Sequence, residues 1–341
     1  MRRVTVGRRD AHAPGGGQCT RMKGGYAWGV DFATYLVRPE RWEEIPPDWA
    51  ALFGRAAPLT VEVGFGNGEF LAEAARARPE WNWVGFETSL TCVVKAGRKL
   101  GRAGAAHVRL ALADGRFALR ELFSDETVNR VFVHFPCPWP KRSHAERRVM
   151  DAEFARTLAT VLQPGGRCEL VTDVLGYAED AALNLERAGF RIAGPQVGAA
   201  GPGTRYEAKW REQGRPIWRL VAERGPPGST LRIAEGTMPH VRIDRPVTAE
   251  AVAKLVGLKE TWPGGAFVVK DAYVAPDGGS VLLRAFATDE GFEQQYLVAV
   301  RRGAEETLVK LDGAAVPFRT PAVKRSVAAI AAALEEGRCG P

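Results

Sequence analysis

Three carboxylates in this chain sit where chemistry could use them. Glu62 interrupts the apolar run Leu59-Thr60-Val61-Glu62-Val63, Glu87 closes Trp81-Asn82-Trp83-Val84-Gly85-Phe86, and Asp114 follows Val108-Arg109-Leu110-Ala111-Leu112-Ala113. An ionised carboxylate inside a buried strand needs a cation or N–H groups as partner, so Glu62 points to a ligand carrying positive charge. Glu87 ends the second strand of a strand, glycine turn, helix, strand unit, where an acid accepts hydrogen bonds from both hydroxyls of a ribose. Asp114 repeats the pattern and is placed to accept from an adenine amino group. Between the first two acids, Gly64, Gly66 and Gly68 give G-x-G-x-G, which lacks the third glycine of the dinucleotide spacing G-x-G-x-x-G. A lone glycine turn is also what ordinary α/β packing uses; three acids in register with it favour a cofactor site.

A second constellation is Val131-Phe132-Val133-His134-Phe135-Pro136-Cys137-Pro138-Trp139-Pro140-Lys141-Arg142. Its prolines end the strand and hold the following loop in one shape, because proline fixes φ and removes a donor. Such a loop positions chemistry, although Trp139 taken by itself reads equally well as packing. Lys141, Arg142, His144, Arg147 and Arg148 form a basic cluster beside it, the expected place for RNA contact. Lys95, Arg98, Lys99 and Arg102 recur at helical spacing and make one basic face, either simply solvated or in reach of RNA phosphates.

The elements that must carry these residues alternate. A helix is expected over Glu69–Arg78, ended by Pro79, and strands near 81–87, 107–112 and 128–135, then Arg167–Thr172 after Pro164-Gly165-Gly166. Residues 204–211 and 216–223 read as a hairpin about Gln213-Gly214. In such sheets ligands lie at the carboxyl ends of the strands, where Glu87, Asp114, Cys137 and Asp173 all fall. Arg224-Gly225-Pro226-Pro227-Gly228-Ser229 marks a boundary. The expected division is a basic disordered tail at 1–25, a catalytic domain at 26–224, a linker at 225–230, and a smaller α+β domain at 231–341. In that last part β-like runs are expected near 231–233, 240–243, 266–275, 280–287 and 295–300, with helices near 248–257 and 321–336, and no catalytic constellation.

The formal net charge of +7 resembles a nucleic-acid footprint but is unevenly spread. Residues 226–341 hold 14 Lys and Arg against 14 Asp and Glu, whereas 1–25 hold six basic residues and one acid. Met22 is an alternative start, and beginning there would leave a net charge of +3. Local patches must therefore carry any argument for RNA. The five cysteines (Cys19, Cys92, Cys137, Cys168 and Cys339) show no C-x-x-C pairing, so neither zinc nor disulfides are expected. No apolar run is long enough to span a membrane and no apolar signal region opens the chain, which makes a cytoplasmic protein the expectation.

In order along the chain, the segments G-F-G-N-G, F-P-C-P-W-P-K, Thr172-Asp173 and Gly203-Thr204-Arg205-Tyr206-Glu207 closely resemble the tRNA (guanine-N7)-methyltransferase family, over roughly residues 26 to 224. The resemblance implies a class I methyltransferase fold: α/β, Rossmann-like, a seven-stranded mostly parallel sheet with a reversed last strand. It implies S-adenosylmethionine as cofactor, held by Glu62, Gly64, Gly66, Glu87 and Asp114. It implies tRNA as partner, with guanine 46 of the variable loop as target. Lys141, Asp173, Thr204, Arg205, Tyr206 and Glu207 would contact substrate, and Arg142, Arg147 and Arg148 the RNA. Where most members carry aspartate between the two prolines, this chain has Cys137, so no catalytic carboxylate is assigned.

Guanine N7 carries a lone pair and no proton, so its methylation needs no general base. The site must instead align nucleophile, methyl carbon and leaving sulfur, which can be worth about 7–11 kcal/mol. Cys137 is then expected to be tolerated. For guanine recognition, Asp173 or Glu207 could accept from N1–H and the 2-amino group, and Lys141 or Thr204 could donate to O6. Two other readings stay open on sequence alone: a methyltransferase acting on another RNA or a small molecule, and a noncatalytic RNA-binding descendant. For residues 226–341, RNA positioning and a stabilising or dimerising role are both open.

Overall fold

The structure is a computed structural model that describes residues 34–139, 148–198, 207 and 212–337. The expected tail at 1–25 lies outside them. The first sheet contains β1 (Leu59–Val63), β2 (Asn82–Glu87), β3 (Val108–Leu112), β4 (Val128–His134), β5 (Leu162–Thr172), β6 (Arg191–Ile192), β7 (Gln196–Val197) and β8 (Trp218–Glu223). Their order is β3-β2-β1-β4-β5-β8-β6, with β7 also on β8. The strands β1 to β5 run parallel and β8 is antiparallel to β5. Because β6 and β7 both pair with β8, through Arg191↔Glu223 and Gln196↔Arg219, the segment Ala193-Gly194-Pro195 merely interrupts one edge strand. The sheet therefore has seven lanes, the last full strand reversed, as expected.

Burial explains why the strands form. All five residues of β1 and the first five of β2 are buried, the mark of central parallel strands covered on both faces. The covering helices are α2 (Glu69–Ala77), α3 (Leu90–Ala103), α4 (Gly115–Leu122), α5 (Ala152–Val161) and α6 (Leu175–Arg187), preceded by the short α1 (Trp49–Phe53). Their starts are capped as their sequences suggest: Ser89 Oγ accepts from Cys92 N at 3.4 Å and Asp151 Oδ1 from Phe154 N at 2.8 Å.

Of the expected hairpin, 216–223 contains β8, whereas 204–206 and 208–211 lie outside the described residues; the edge of the sheet beside β8 is taken by β6 and β7.

The second sheet comprises β9 (His240–Ile243), β10 (Lys259–Trp262), β11 (Gly265–Val274), β12 (Ser280–Asp289), β13 (Phe292–Arg302) and β14 (Thr307–Leu311), with α7 (Ala249–Ala253) and α8 (Pro321–Glu335). It is antiparallel throughout, in the order β10-β11-β12-β13-β14-β9. Both helices pack on one face, where Val252, Val323, Val327 and Ile330 meet Val281, Leu283, Val298 and Val309. Residues 231–233 are not a strand, and β10 and β14 were missed because each is short and half polar.

The two sheets share a tightly packed boundary. Phe292, at the β12–β13 turn, stacks on Phe117 of α4 with ring centroids 3.6 Å apart, and Phe318 packs edge-on to Phe117 at 4.9 Å. Arg120 bonds Glu121 at 2.6 Å, Glu153 at 3.0 Å and Glu290 at 2.7 Å. The second oxygen of Glu121 accepts from both Ile233 N and Ala234 N at 2.8 Å, so the strand-to-strand connection is pinned along α4. Arg319, 1% exposed, donates to the carbonyls of Glu40, Trp42 and Glu235, stapling the segment before α1 to the second sheet.

Candidate active site

The turn between β1 and α2 is built from glycines that adopt positive φ: 75° at Gly64, 54° at Gly66 and 73° at Gly68. A Cβ added at Gly64 or Gly66 would meet nothing within 4 Å, so the bare backbone there faces open space that a ligand can approach closely. At Gly68 a Cβ would stand 2.6 Å from that of Ala96, which lets α2 and α3 come together. Glu87 fixes the shape of this turn. Its Oε2 accepts from Gly66 N at 2.9 Å, while Oε1 accepts from Thr88 N at 2.9 Å and Ser89 N at 3.0 Å. A carboxylate has about four acceptor directions. Glu87 therefore retains room on Oε2 for a ribose hydroxyl, fewer bonds than its sequence position suggested.

Beneath the turn lies a line of charge that crosses the sheet. Glu62 is 2% exposed and its Oε2 has no hydrogen-bond partner among the described residues. Burial, followed by the nearby carboxylates of Glu69 and Glu87, pushes its pKa from 4.5 up to about 8. Next along the line is His134, the last residue of β4, with Nδ1 3.9 Å from Glu62 and Nε2 3.8 Å from Glu169 of β5. These contacts are electrostatic rather than hydrogen bonds, and Phe70 closes the imidazole edge-on at 4.1 Å. Glu169 is in turn held by the fork of Arg219, at 3.0 and 2.7 Å. Burial alone would raise the pKa of Glu169, but His134 and Arg219 outweigh it and bring it to about 2. Sequence reading identified Glu62 and missed its three partners. The usable signal was the alternation that puts Glu62, His134 and Glu169 on adjacent parallel strands.

Asp114 caps α4, its Oδ1 accepting from Arg116 N at 2.8 Å and Phe117 N at 3.2 Å, and the residue is exposed. Its other oxygen has no partner among the described residues. Asp114 also lines a 580 Å³ cleft between the two sheets, with Asp151, Glu153 and Glu290.

After β4 the loop is strained in two places: Phe135 and Trp139 take φ of 47° and 40°, conformations non-glycine residues rarely adopt. Phe135 N is tied to Val171 O at 2.7 Å, and Cys137 presents an exposed free thiol. Arg148 holds the far end. It donates to the carbonyls of Pro138 at 3.0 Å and Trp139 at 3.2 Å, pairs with Asp180, and lies over the Tyr177 ring at 5.6 Å. All three of its side-chain nitrogens are thus engaged, two with the loop and one with Asp180.

Asp173 directly follows β5 and bonds Arg215 at 3.5 Å. Glu207 is buried, 1% exposed. Lys141, Arg142, Arg147, Thr204, Arg205 and Tyr206 lie outside the described residues. Of the basic helix face, Lys99 is paired with Glu69 at 3.0 Å. Among the described residues no helix is long and apolar enough to cross a membrane, and no cluster of His, Cys, Asp and Glu is placed to hold a metal ion.

The family model described as "Putative methyltransferase" matches residues 56–220, a span that contains Glu62, Glu87, Asp114, Glu169 and Asp173. Relatives extend the match. A tRNA (guanine-N(7)-)-methyltransferase of Thermotoga maritima is 40% identical over 86% of this chain and 94% of its own length. One of Thermus thermophilus is 35% identical over 88% and 96%. One of Geobacillus kaustophilus is 34% identical but aligns with only 52% of this chain while using 84% of its own. The first two matches are too long to be confined to the first sheet, so they reach into the second. With the acids on one sheet edge and similarity along nearly the full length, the chain belongs to the tRNA (guanine-N(7)-)-methyltransferase family.

Proposed function

We propose that this protein transfers a methyl group from S-adenosylmethionine to N7 of guanine 46 in the variable loop of tRNA. The observation that carries the reading is the convergence at one sheet edge of the open glycine turn, the Oε2 of Glu62 that no described residue hydrogen-bonds, the remaining acceptor of Glu87 and the second oxygen of Asp114. The base and atom follow the names of the relatives.

The residues fit this cofactor. Glu62 offers the counter-charge for an ammonium group, Glu87 an acceptor for a ribose hydroxyl, Asp114 an acceptor for an adenine amino group, and Gly64 to Gly66 an unobstructed backbone. The sulfonium group supplies an electrophilic methyl and a neutral leaving group. The chain's task is to bring N7 in line with it. Since no proton leaves N7, the rigid loop from Phe135 to Trp139, fixed by Val171 and Arg148, acts by orientation. Asp173, directly after β5, is the carboxylate assigned to steady the positive charge that appears on the base. With alignment as the main contribution, Cys137→Asp should change kcat less than about tenfold; a gain of several orders of magnitude would show that a carboxylate is missing.

The test is to incubate the full chain with labelled S-adenosylmethionine and unmodified tRNA, then map methylated positions by alkali and aniline cleavage. A cut at guanine 46 is expected. A cut elsewhere would refute the position, and no cut with cofactor bound would refute the activity.

A further inference from the structure

We infer that the open face of the second sheet is a binding surface for unpaired nucleotides of the RNA substrate; this deepens the proposed tRNA methylation and rests on it. Alternation along β12 sends Val281, Leu283, Ala285 and Ala287 into the helix layer and turns Leu282, Arg284, Phe286 and Thr288 to the other side. Among the described residues no helix covers that side. Two aromatic rings stand on it. Phe286 borders a 560 Å³ hollow together with Lys259 and Lys270. Tyr273, 51% exposed, borders a 310 Å³ hollow with Arg301. Tyr273 pairs with Leu282, four residues from Phe286 along β12, so the hollows lie about 13 Å apart.

Charge decides what fits. Residues 226–341 are neutral in sum; on the open face Asp271 is held by Arg284, Glu293 borders the Phe286 hollow and Asp312 the Tyr273 hollow, while four other acids face away. Glu260 pairs with Arg325 of α8, Asp289 accepts from Ala322 N, Glu290 bonds Arg120 and Glu235 bonds Lys324. All four are turned toward the helix layer or the first sheet. Lys259, Lys270, Arg301 and Lys310 of the open face have no anionic partner among the described residues. Aromatic rings between unpaired cations suit stacked bases and their phosphates. A second copy of the same face would bring like charges together. The surface is also continuous with the active site: Glu293 borders both the Phe286 hollow and the cleft that contains Asp114. That cleft is rich in carboxylates, so phosphates belong on the sheet and not in the cleft.

Deleting residues 226–341 would not test this, because it uncovers Phe117, Arg120 and Glu121. Surface variants of the full chain do. Phe286→Ser with Tyr273→Ser removes the rings, and Arg301→Glu with Lys310→Glu reverses charge without touching the core. Each pair is measured for KM and kcat with tRNA, for cofactor affinity, for binding of a fluorescent oligouridine, and for mass in solution. Both pairs should raise KM for tRNA at least tenfold, leave kcat and cofactor affinity within twofold, and weaken oligouridine binding; the charge pair should also flatten its salt dependence. If the wild type methylates tRNA and neither pair moves KM, the surface is not used and the activity stands. If the wild type does not methylate tRNA, the activity fails, and oligouridine binding decides the surface: sensitivity to both pairs supports it and indifference overturns it. A change in oligomeric state instead would assign the face to a second copy and overturn the inference.

Discussion

A buried carboxyl with one oxygen lacking a hydrogen-bond partner among the described residues makes its pH dependence a readable signature. The pKa of Glu62 is raised from 4.5 to about 8, so the folded protein holds that proton more tightly than the unfolded chain. Its contribution to stability is then fully present below pH 4.5 and lost as pH rises through about 8. Glu62→Gln keeps the shape without the ionisation. Thermal unfolding should find it as stable as wild type at pH 5 and more stable at pH 9, by at least about 1 kcal/mol. Cofactor binding should behave oppositely. Wild-type affinity for S-adenosylmethionine should climb between pH 6 and 8.5 as Glu62 ionises against an ammonium group, while the Gln variant stays flat and at least about tenfold weaker at the upper end. Equal slopes for the two proteins would remove Glu62 from cofactor binding. At this scale the sequence was readable where a residue broke its local rule, as an acid does inside Leu59–Val63. His134 breaks none, since a histidine at a strand end is unremarkable until Glu62 and Glu169 are seen on either side of it.

The loop after β4 is the element on which orientation depends, and Arg148 is its clasp. Replacing Arg148 by Ala should lower kcat at least about tenfold and leave cofactor affinity unchanged, because the bonds lost are those to the Pro138 and Trp139 carbonyls. Arg148→Lys should rescue little, since an ammonium cannot reproduce a fork that spans two carbonyls and Asp180. Unchanged kcat in both variants, measured at saturating tRNA, would deny the loop its role. Strands and helices of the first sheet were legible because apolar runs and helix caps coincide, as at Ser89 and Asp151. The edge strands β6 and β7 were not legible, because two-residue pieces interrupted by Ala193-Gly194-Pro195 carry no alternation long enough to mark a strand.

Across the whole molecule, each sheet has its own core and a packed aromatic and ionic joint couples the two. Phe292 and Phe318 join the cluster that holds Val61, Phe86 and Phe123, and Arg120 is 5% exposed with carboxylates from both sheets around it. Calorimetry should therefore record a single transition with matching calorimetric and van't Hoff enthalpies. Arg120→Ala, which strands the fully buried Glu121, should cost about 3–5 kcal/mol in that transition; two separate transitions would contradict the coupling through this joint. None of this was visible in sequence, where Arg224-Gly225-Pro226-Pro227-Gly228 looks like a tether, because the residues that join the sheets are distant in the chain. The same joint also constrains descent. A chain without the second sheet would uncover Phe117, Arg120 and Glu121 together. Gain or loss of the second half therefore has to be matched by change at those three positions of α4, which makes them the ones to compare between long and short members.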